Sequence, residues 1–219
     1  MTIKITPKTT RNILRWTTHV GSLLPLALLL WDFWAGQLGP NPIQALTIRT
    51  GDTAVTLLLL SLAVTPLNIL FGWKQILPLR KPLGLYAFLY VVTHFLIFTW
   101  LDYGLNVPLI VDEVVNKRFA LVGFAAFLLL IPLAVTSTKW AMRKLGKNWK
   151  RLHQTVYAIG ILAIIHYVWA VKTVTTKPFV FTIILVLLLV VRIKPIKQSL
   201  ISLRRNWEKR SVRQASSTI

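Results

Sequence analysis

Apolar residues gather in six long runs along the chain, separated by short groups of charged residues, prolines and glycines. A helical run of about 20 apolar residues, rising 1.5 Å per residue, is long enough to cross the hydrocarbon core of a bilayer. The pattern therefore predicts an all-α polytopic membrane helical bundle with six transmembrane helices. The spans, bounded by charges, prolines and glycines, are about 16–35, 51–70, 83–101, 119–136, 153–171 and 178–193.

Positive charge distinguishes the two ends of these spans. Of the 26 Lys and Arg residues, five fall in the connections after the first, third and fifth spans, and the other 21 fall in the remaining connections and the termini. By the positive-inside rule, both termini are cytoplasmic. The chain then divides into a basic cytoplasmic N-terminus (1–15), a six-helix transmembrane domain (16–193) and a basic cytoplasmic tail (194–219). No clear small-x-small cleavage site follows the first span, so we expect it to be retained as a helix rather than removed as a signal peptide.

Composition excludes several functional classes. The formal charge of +20 does not indicate a nucleic-acid partner, because the basic residues alternate with apolar spans, and membrane lipid headgroups are their expected partners. The absence of cysteine excludes disulfides and iron–sulfur clusters, which leaves histidine as the strong ligand for a transition metal. No glycine-rich phosphate loop or long soluble segment is present, so nicotinamide chemistry would have to come from another protein. No internal repeat is evident.

Two histidines lie deep in predicted spans and at similar depth. His94 is about 16 Å into the third span from its cytoplasmic start, and His166 is about 20 Å into the fifth, at 1.5 Å per residue. Two imidazoles that reach from different helices are the requirement for bis-histidine ligation of a haem. We therefore predict His94 and His166 as axial ligands of a haem iron in the outer half of the membrane. The alternative is that they hydrogen-bond helices together or form part of a proton path.

The two remaining histidines lie near the cytoplasmic ends of spans. His153 is about 20 Å from His166 along the fifth span, too far to ligate the same iron. It is a candidate ligand for a second haem, or a residue that holds a lipid, a quinone donor or a haem carboxylate. His19, in the first span, is the other imidazole at that depth and a weaker candidate. The sequence leaves the haem count open between one and two.

Other residues near His94 and His166 are candidates to surround a macrocycle. Cations suited to haem propionates are Arg49, Arg118 and Lys172. Aromatic residues that would pack on the ring, or form a belt at the membrane interface, are Tyr86, Tyr90, Phe95, Phe98, Trp100, Tyr157, Tyr167 and Trp169.

Several segments of the chain resemble a known family. They are Thr136 to Thr138, Arg143 to Gly146, Trp149, Leu152 to His153, Val156 to Tyr157 and His166 to Trp169, with further matches at Gly21 to Pro25, Thr65 to Leu67, Arg80 to Leu85 and His94. The chain is similar to the MsrQ (YedZ) family, the haem-binding membrane subunits of bacterial periplasmic methionine sulfoxide reductase systems. That family belongs to the ferric reductase-like transmembrane superfamily, in which two histidine pairs commonly bind two haems. This chain has one histidine on its third span.

The resemblance implies a haem b electron-transfer subunit in the bacterial cell inner membrane. It would accept electrons from the quinone pool or a cytoplasmic flavin reductase and pass them to a periplasmic molybdopterin enzyme that repairs methionine sulfoxide in oxidised proteins. Catalysis would then reside in the partner rather than in this chain. The resemblance also implies FMN, for which the sequence offers no motif.

Two other functions are compatible with the sequence. One is a stand-alone ferric or cupric reductase, in which the outer acidic residues Asp102, Asp112 and Glu113 attract metal cations. The other is a non-redox transporter or assembly protein, in which the histidines relay protons or cross-link helices.

Overall fold

The computed structural model describes residues 7–171 and 175–217, with side chains described for 9–171 and 175–207. The described chain is helical throughout and contains no strand, which confirms the predicted all-α class. Its α-helices are α1 (Pro7–Trp34), α2 (Pro42–Phe71), α3 (Arg80–Leu96), α4 (Val107–Asn116), α5 (Arg118–Val135), α6 (Lys139–Leu145), α7 (Lys147–Gln154), α8 (Val156–Ala170), α9 (Thr176–Val190) and α10 (Lys194–Ser217). A 3₁₀ segment (Lys74–Leu79) precedes α3, and a π-helical segment (Ile97–Asp102) follows it.

Five stretches of the described chain are long and apolar enough to cross a membrane, namely Thr9–Trp34, Pro42–Phe71, Lys74–Asp102, Arg118–Val135 and Lys147–Ala170. They correspond to the first five predicted spans, and several begin earlier than predicted because the helices extend past the apolar run. The sixth predicted span is short: α9 ends at Val190, and the chain bends by 79° into α10. The protein is thus a polytopic membrane protein with five full-length spanning helices and a shorter sixth helix.

Local sequence signals explain where the helices begin and end. The Asn41 side chain accepts a hydrogen bond from the Gln44 N–H, and Pro42 occupies the first turn of α2. Gly72 ends that helix in the left-handed conformation, with φ of 72°. The predicted connection 102–118 is not a plain loop, because Asn106 caps the ten-residue helix α4. The basic tail is likewise helical over Lys194–Ser217.

Helices α2, α3, α5 and α8 form the centre of the bundle. Helix α2 packs most extensively on α3, and α5 on α8. Their shared core includes Leu58 of α2, Ala87 of α3, Leu130 of α5 and Ile159 of α8. Helix α3 also packs on α5, and α2 on α8, so α3 and α8 lie diagonally across the four-helix arrangement.

The remaining long helices pack around this centre. Helix α1 is joined to α3 by Tyr90, which is 1% exposed and donates a hydrogen bond of 2.8 Å from its hydroxyl to the Ser22 carbonyl. Helix α9 packs on α2 and α8 through Leu185, and Arg192 beyond its end donates to the Leu62 carbonyl at 2.5 Å. Large exposed apolar side chains on the outer helices, such as Trp34 and Ile183, face the surroundings as lipid-facing residues do.

The five acidic residues Asp32, Asp52, Asp102, Asp112 and Glu113 define what we call the acidic end of the bundle. The opposite end, with the connections 72–79 and 136–155, is called the basic end. The prediction that the basic end is cytoplasmic follows from charge alone.

Gly160 tests the packing of α8 against α2 and α9. A side chain there would meet Leu185 at 3.2 Å and Leu62 at 3.5 Å, whereas one at Gly21 of α1 would meet nothing within 4 Å. We expect Gly160→Leu to reduce the free energy of unfolding by about 1–3 kcal/mol through overpacking, and Gly21→Leu to have little effect. Thermal unfolding of the detergent-solubilised protein measures both. Equal midpoints for the two variants would contradict this packing.

Candidate functional site

His94 of α3 and His166 of α8 come together at the acidic half of the central four helices. Their ring centroids are 6.2 Å apart, and their ring planes are nearly perpendicular at 88°. The prediction from depth placed both histidines at one level, and the structure places them next to each other. Both rings line one cavity between the helices.

The cavity lies between α2, α3, α5 and α8 and holds about 1150 Å³ of empty space, counting its opening to the exterior. Its walls are almost entirely apolar apart from the two histidines. Small residues make room on α2 and α3, and phenylalanines line the wall formed by α3 and α5: Phe95, Phe98, Phe119, Phe124 and Phe127.

Each histidine is held by a backbone carbonyl of the neighbouring helix. The Nδ1 of His94 lies 2.9 Å from the Thr47 carbonyl oxygen, and the Nδ1 of His166 lies 2.7 Å from that of Phe119. A carbonyl oxygen can only accept, so each Nδ1 carries the proton and donates. The other ring nitrogen, Nε2, therefore keeps its lone pair in both neutral imidazoles, which is the state that a metal ligand requires.

Glycines allow these two rings to approach. A Cβ at Gly51 would lie 3.3 Å from Cε1 and Nδ1 of His94, and one at Gly123 would lie 2.5 Å from Nδ1 of His166. Each glycine is one helical turn beyond the residue whose carbonyl accepts the hydrogen bond. A larger residue at either position would cover that carbonyl and displace the ring.

The two halves of the site repeat one arrangement. His94 follows Thr47 by 47 residues, and His166 follows Phe119 by the same 47 residues. The register that pairs Thr47 with Phe119 also pairs Gly51 with Gly123. The hairpins α2–α3 and α5–α8 thus supply equivalent histidines, although few other residues match between them, which explains why the sequence shows no evident repeat.

The geometry fits ligation of one metal ion by both rings. An imidazole nitrogen bonds a transition metal at about 2 Å, and the ring centroid is about 1 Å further away, so two imidazoles on opposite sides of one ion have centroids about 6 Å apart. The observed spacing is 6.2 Å. Among the described residues, no group of three His, Asp or Glu side chains could hold an ion. A flat macrocycle supplies the four missing ligands, so the residues present fit a bis-histidine haem.

The other two histidines lie elsewhere. His153 is on the short helix α7, with its Nε2 3.0 Å from the Thr136 hydroxyl and its ring stacked at 4.0 Å on Trp149. His19 of α1 has its Nδ1 2.9 Å from the Tyr86 hydroxyl. Neither histidine lines the cavity, and the two have different hydrogen-bond partners.

The predicted surrounding residues divide into several groups. Phe95 and Phe98 line the cavity, whereas Trp100 and Trp169 are exposed and belong to the outer surface. Arg49 is paired with Asp32, and Arg118 is exposed at the start of α5. Lys172 lies outside the described residues.

Sequence reasoning missed three features, of which two belong to the cavity wall and one lies outside its lining. The phenylalanines of α5 were not predicted, although an apolar span that carries several aromatic residues is a usable signal. Val114 of α4 also lines the cavity, so this helix forms part of its wall. The third feature is a polar contact between α2 and α8: the Tyr167 hydroxyl donates to Asp52 Oδ1 at 2.7 Å, and Lys177 Nζ lies 2.9 Å from Oδ2.

Comparison with known proteins places this chain in a family. Residues 50–164 match the model of the ferric reductase like transmembrane component. The chain is 44% identical over 177 residues to a protein-methionine-sulfoxide reductase heme-binding subunit MsrQ of Xanthomonas campestris pv. campestris strain 8004, covering 78% of this chain and 81% of that protein. No solved structure matches the chain.

Two further relatives carry the same name. The protein of Xanthomonas axonopodis pv. citri is 40% identical over 204 residues, which cover 90% of this chain and 88% of that protein. That of Bordetella pertussis is 45% identical over 172 residues, covering 78% and 84%. The segment 50–164, which matches the family model, contains Gly51, His94, Phe119 and Gly123 of the repeated arrangement but not Thr47 or His166. The chain belongs to the MsrQ family, within the ferric reductase-like transmembrane proteins.

Proposed function

We propose that this chain is a haem-binding membrane subunit that passes electrons to a protein-methionine-sulfoxide reductase. The observation that carries the proposal is the pair His94 and His166, with both Nδ1 atoms committed to backbone carbonyls in an apolar cavity of a spanning bundle. The relatives are named as heme-binding subunits of such a system, in agreement with this reading. The reductase, a molybdopterin enzyme on the periplasmic side of the bacterial inner membrane, is a separate partner.

The proposed cofactor is haem b, which His94 and His166 would hold. When bound, it would supply one-electron chemistry at its iron. The chain itself fixes the tautomer of both rings and surrounds the site with phenylalanine side chains, which disfavour water. Quinone or a cytoplasmic flavin reductase would donate electrons from the basic end.

His153 and His19 are assigned hydrogen-bonding roles in this proposal. His153 contacts Thr136 and Trp149, and His19 contacts Tyr86, with no second histidine beside either one among the described contacts. One haem per chain is therefore proposed. The FMN implied by the family resemblance is given no residues here.

The rival metalloreductase needs a cation site at the acidic end. There Glu113 is paired with Lys117 at 2.5 Å, and Asp112 accepts from Asn116 at 2.6 Å. Both carboxylates therefore already bind nearby side chains, and neither is shown to share a cation site with the other. The non-redox rival does not need the free Nε2 atoms, and absence of haem from the purified protein would support it.

Removal of either axial ligand tests the haem site. Loss of a group that merely orients a ligand costs about 10–100-fold in metal affinity, so we expect His94→Ala and His166→Ala to lower haem content at least about tenfold. The Soret absorbance of protein purified from membranes measures this. His153→Ala is the control and should keep its haem. Full haem content in both single variants would contradict the assignment, and a drop from two haems to one in the control would place a second haem at the basic end.

The two glycines give a graded test of the same site. Gly123→Ala places a methyl group 2.5 Å from His166 Nδ1, while Gly51→Ala places one 3.3 Å from His94. We expect Gly123→Ala to lose most of its haem or to shift its Soret band, and Gly51→Ala to be affected less. Gly21→Ala, with open space around the new methyl, serves as the control. Equal spectra in all three variants would show that the rings are not positioned as described.

Electron delivery is tested with the purified, reduced protein and a periplasmic methionine sulfoxide reductase. We expect the haem spectrum to return to its oxidised form when the reductase and methionine sulfoxide are both present, and to remain reduced when either is omitted. Rapid oxidation by ferric chelates, with no response to the reductase and its substrate, would instead favour the metalloreductase.

A further inference from the structure

The two repeated hairpins contact each other at two places that are equivalent in register. The residues at these two places differ in chemistry. The register that pairs His94 with His166 pairs Phe95 with Tyr167, and it pairs Asp52 with Phe124. Between α3 and α5, the rings of Phe95 and Phe124 stack with centroids 5.8 Å apart. Between α2 and α8, the equivalent positions hold the hydrogen bond of 2.7 Å from Tyr167 to Asp52. One side of the site is therefore apolar, and the other carries a carboxylate.

Asp52 and Tyr167 are each next in sequence to a residue of the histidine site. Asp52 directly follows Gly51, whose backbone packs on the His94 ring, and Tyr167 directly follows His166. The Asp52 side chain is 19% exposed, so solvent screens it only in part. Its charge partner Lys177 has a side chain that is 68% exposed, so more of the positive charge is screened.

We propose that Asp52 and Tyr167 are positioning residues that set the reduction potential of the haem held by His94 and His166. The inference rests on the proposed haem function. Reduction removes one positive charge from the ferric haem, so a fixed carboxylate nearby stabilises the oxidised form and lowers the potential. Tyr167 holds the carboxylate in place, and Lys177 partly offsets its charge.

If the charge of Asp52 acts on the haem, removing Asp52 and removing its ion-pair partner Lys177 should shift the reduction potential in opposite directions. Asp52→Asn keeps the size of the side chain and removes the negative charge, so the haem potential should shift upward. Lys177→Gln removes the positive charge and leaves the carboxylate, so the potential should shift downward. Tyr167→Phe, which loses the hydroxyl while Asp52 keeps its charge, should shift it upward by less than Asp52→Asn.

A spectroelectrochemical titration of the haem absorbance in detergent measures these shifts. Asp112→Asn is the matched control, because Asp112 is exposed on α4 and hydrogen-bonded to Asn116. The haem in this variant should have the same reduction potential as in the parent protein. Structural damage would move the Asp52 and Lys177 variants in the same direction, so shifts of one sign, or no shift in either, would overturn the proposal. If Asp52→Asn fails to fold, Tyr167→Phe takes its place, and an upward shift there together with a downward shift in Lys177→Gln supports the proposal. Failure of the haem assignment is distinct, since the parent protein would then show no Soret band to titrate.

Discussion

Two hydrogen bonds from imidazole to backbone carbonyl are the constraint on which the site depends. A helix carbonyl cannot move without disturbing its helix, so Thr47 and Phe119 fix where His94 and His166 point. Because each carbonyl accepts from Nδ1, the remaining nitrogen of each ring is left for a metal. Gly51 and Gly123 make this contact sterically possible, and the wall of the cavity around the two rings is almost entirely apolar.

The same constraint explains why the bundle is organised as two hairpins. A single hairpin supplies a carbonyl, a glycine and a histidine, and two such hairpins would supply both sides of the proposed haem site. Outside those positions the hairpins need only similar shapes, since packing in a membrane depends on close fit rather than on residue identity. Differences between the halves are therefore free to take on other roles, as the contact between Tyr167 and Asp52 illustrates, while the equivalent Phe95 and Phe124 simply pack.

Much of the fold and the principal pair could be predicted from the sequence. Apolar runs and charge groups located the spanning helices, because membrane thickness imposes a length on them. Equal depth identified His94 and His166, because depth follows from helical rise. Depth carries no information about azimuth, so the carbonyl acceptors, the glycines against the rings and the pairing of Asp52 with Tyr167 became visible only in three dimensions. Helix α4 was not predicted because its ten residues are too few to cross a membrane, and its place in the cavity wall rests on Val114 alone.

In the proposed site, His94 and His166 would bind one iron from opposite sides. Their ring planes are 88° apart, and two axial imidazoles in nearly perpendicular planes give ferric haem a low-spin electron paramagnetic resonance spectrum of unusually large anisotropy. This spectrum, recorded on the oxidised protein in membranes, is the most direct measurement. We expect the oxidised protein to give the highly anisotropic low-spin signal. A high-spin signal, which indicates a missing axial ligand, would contradict it.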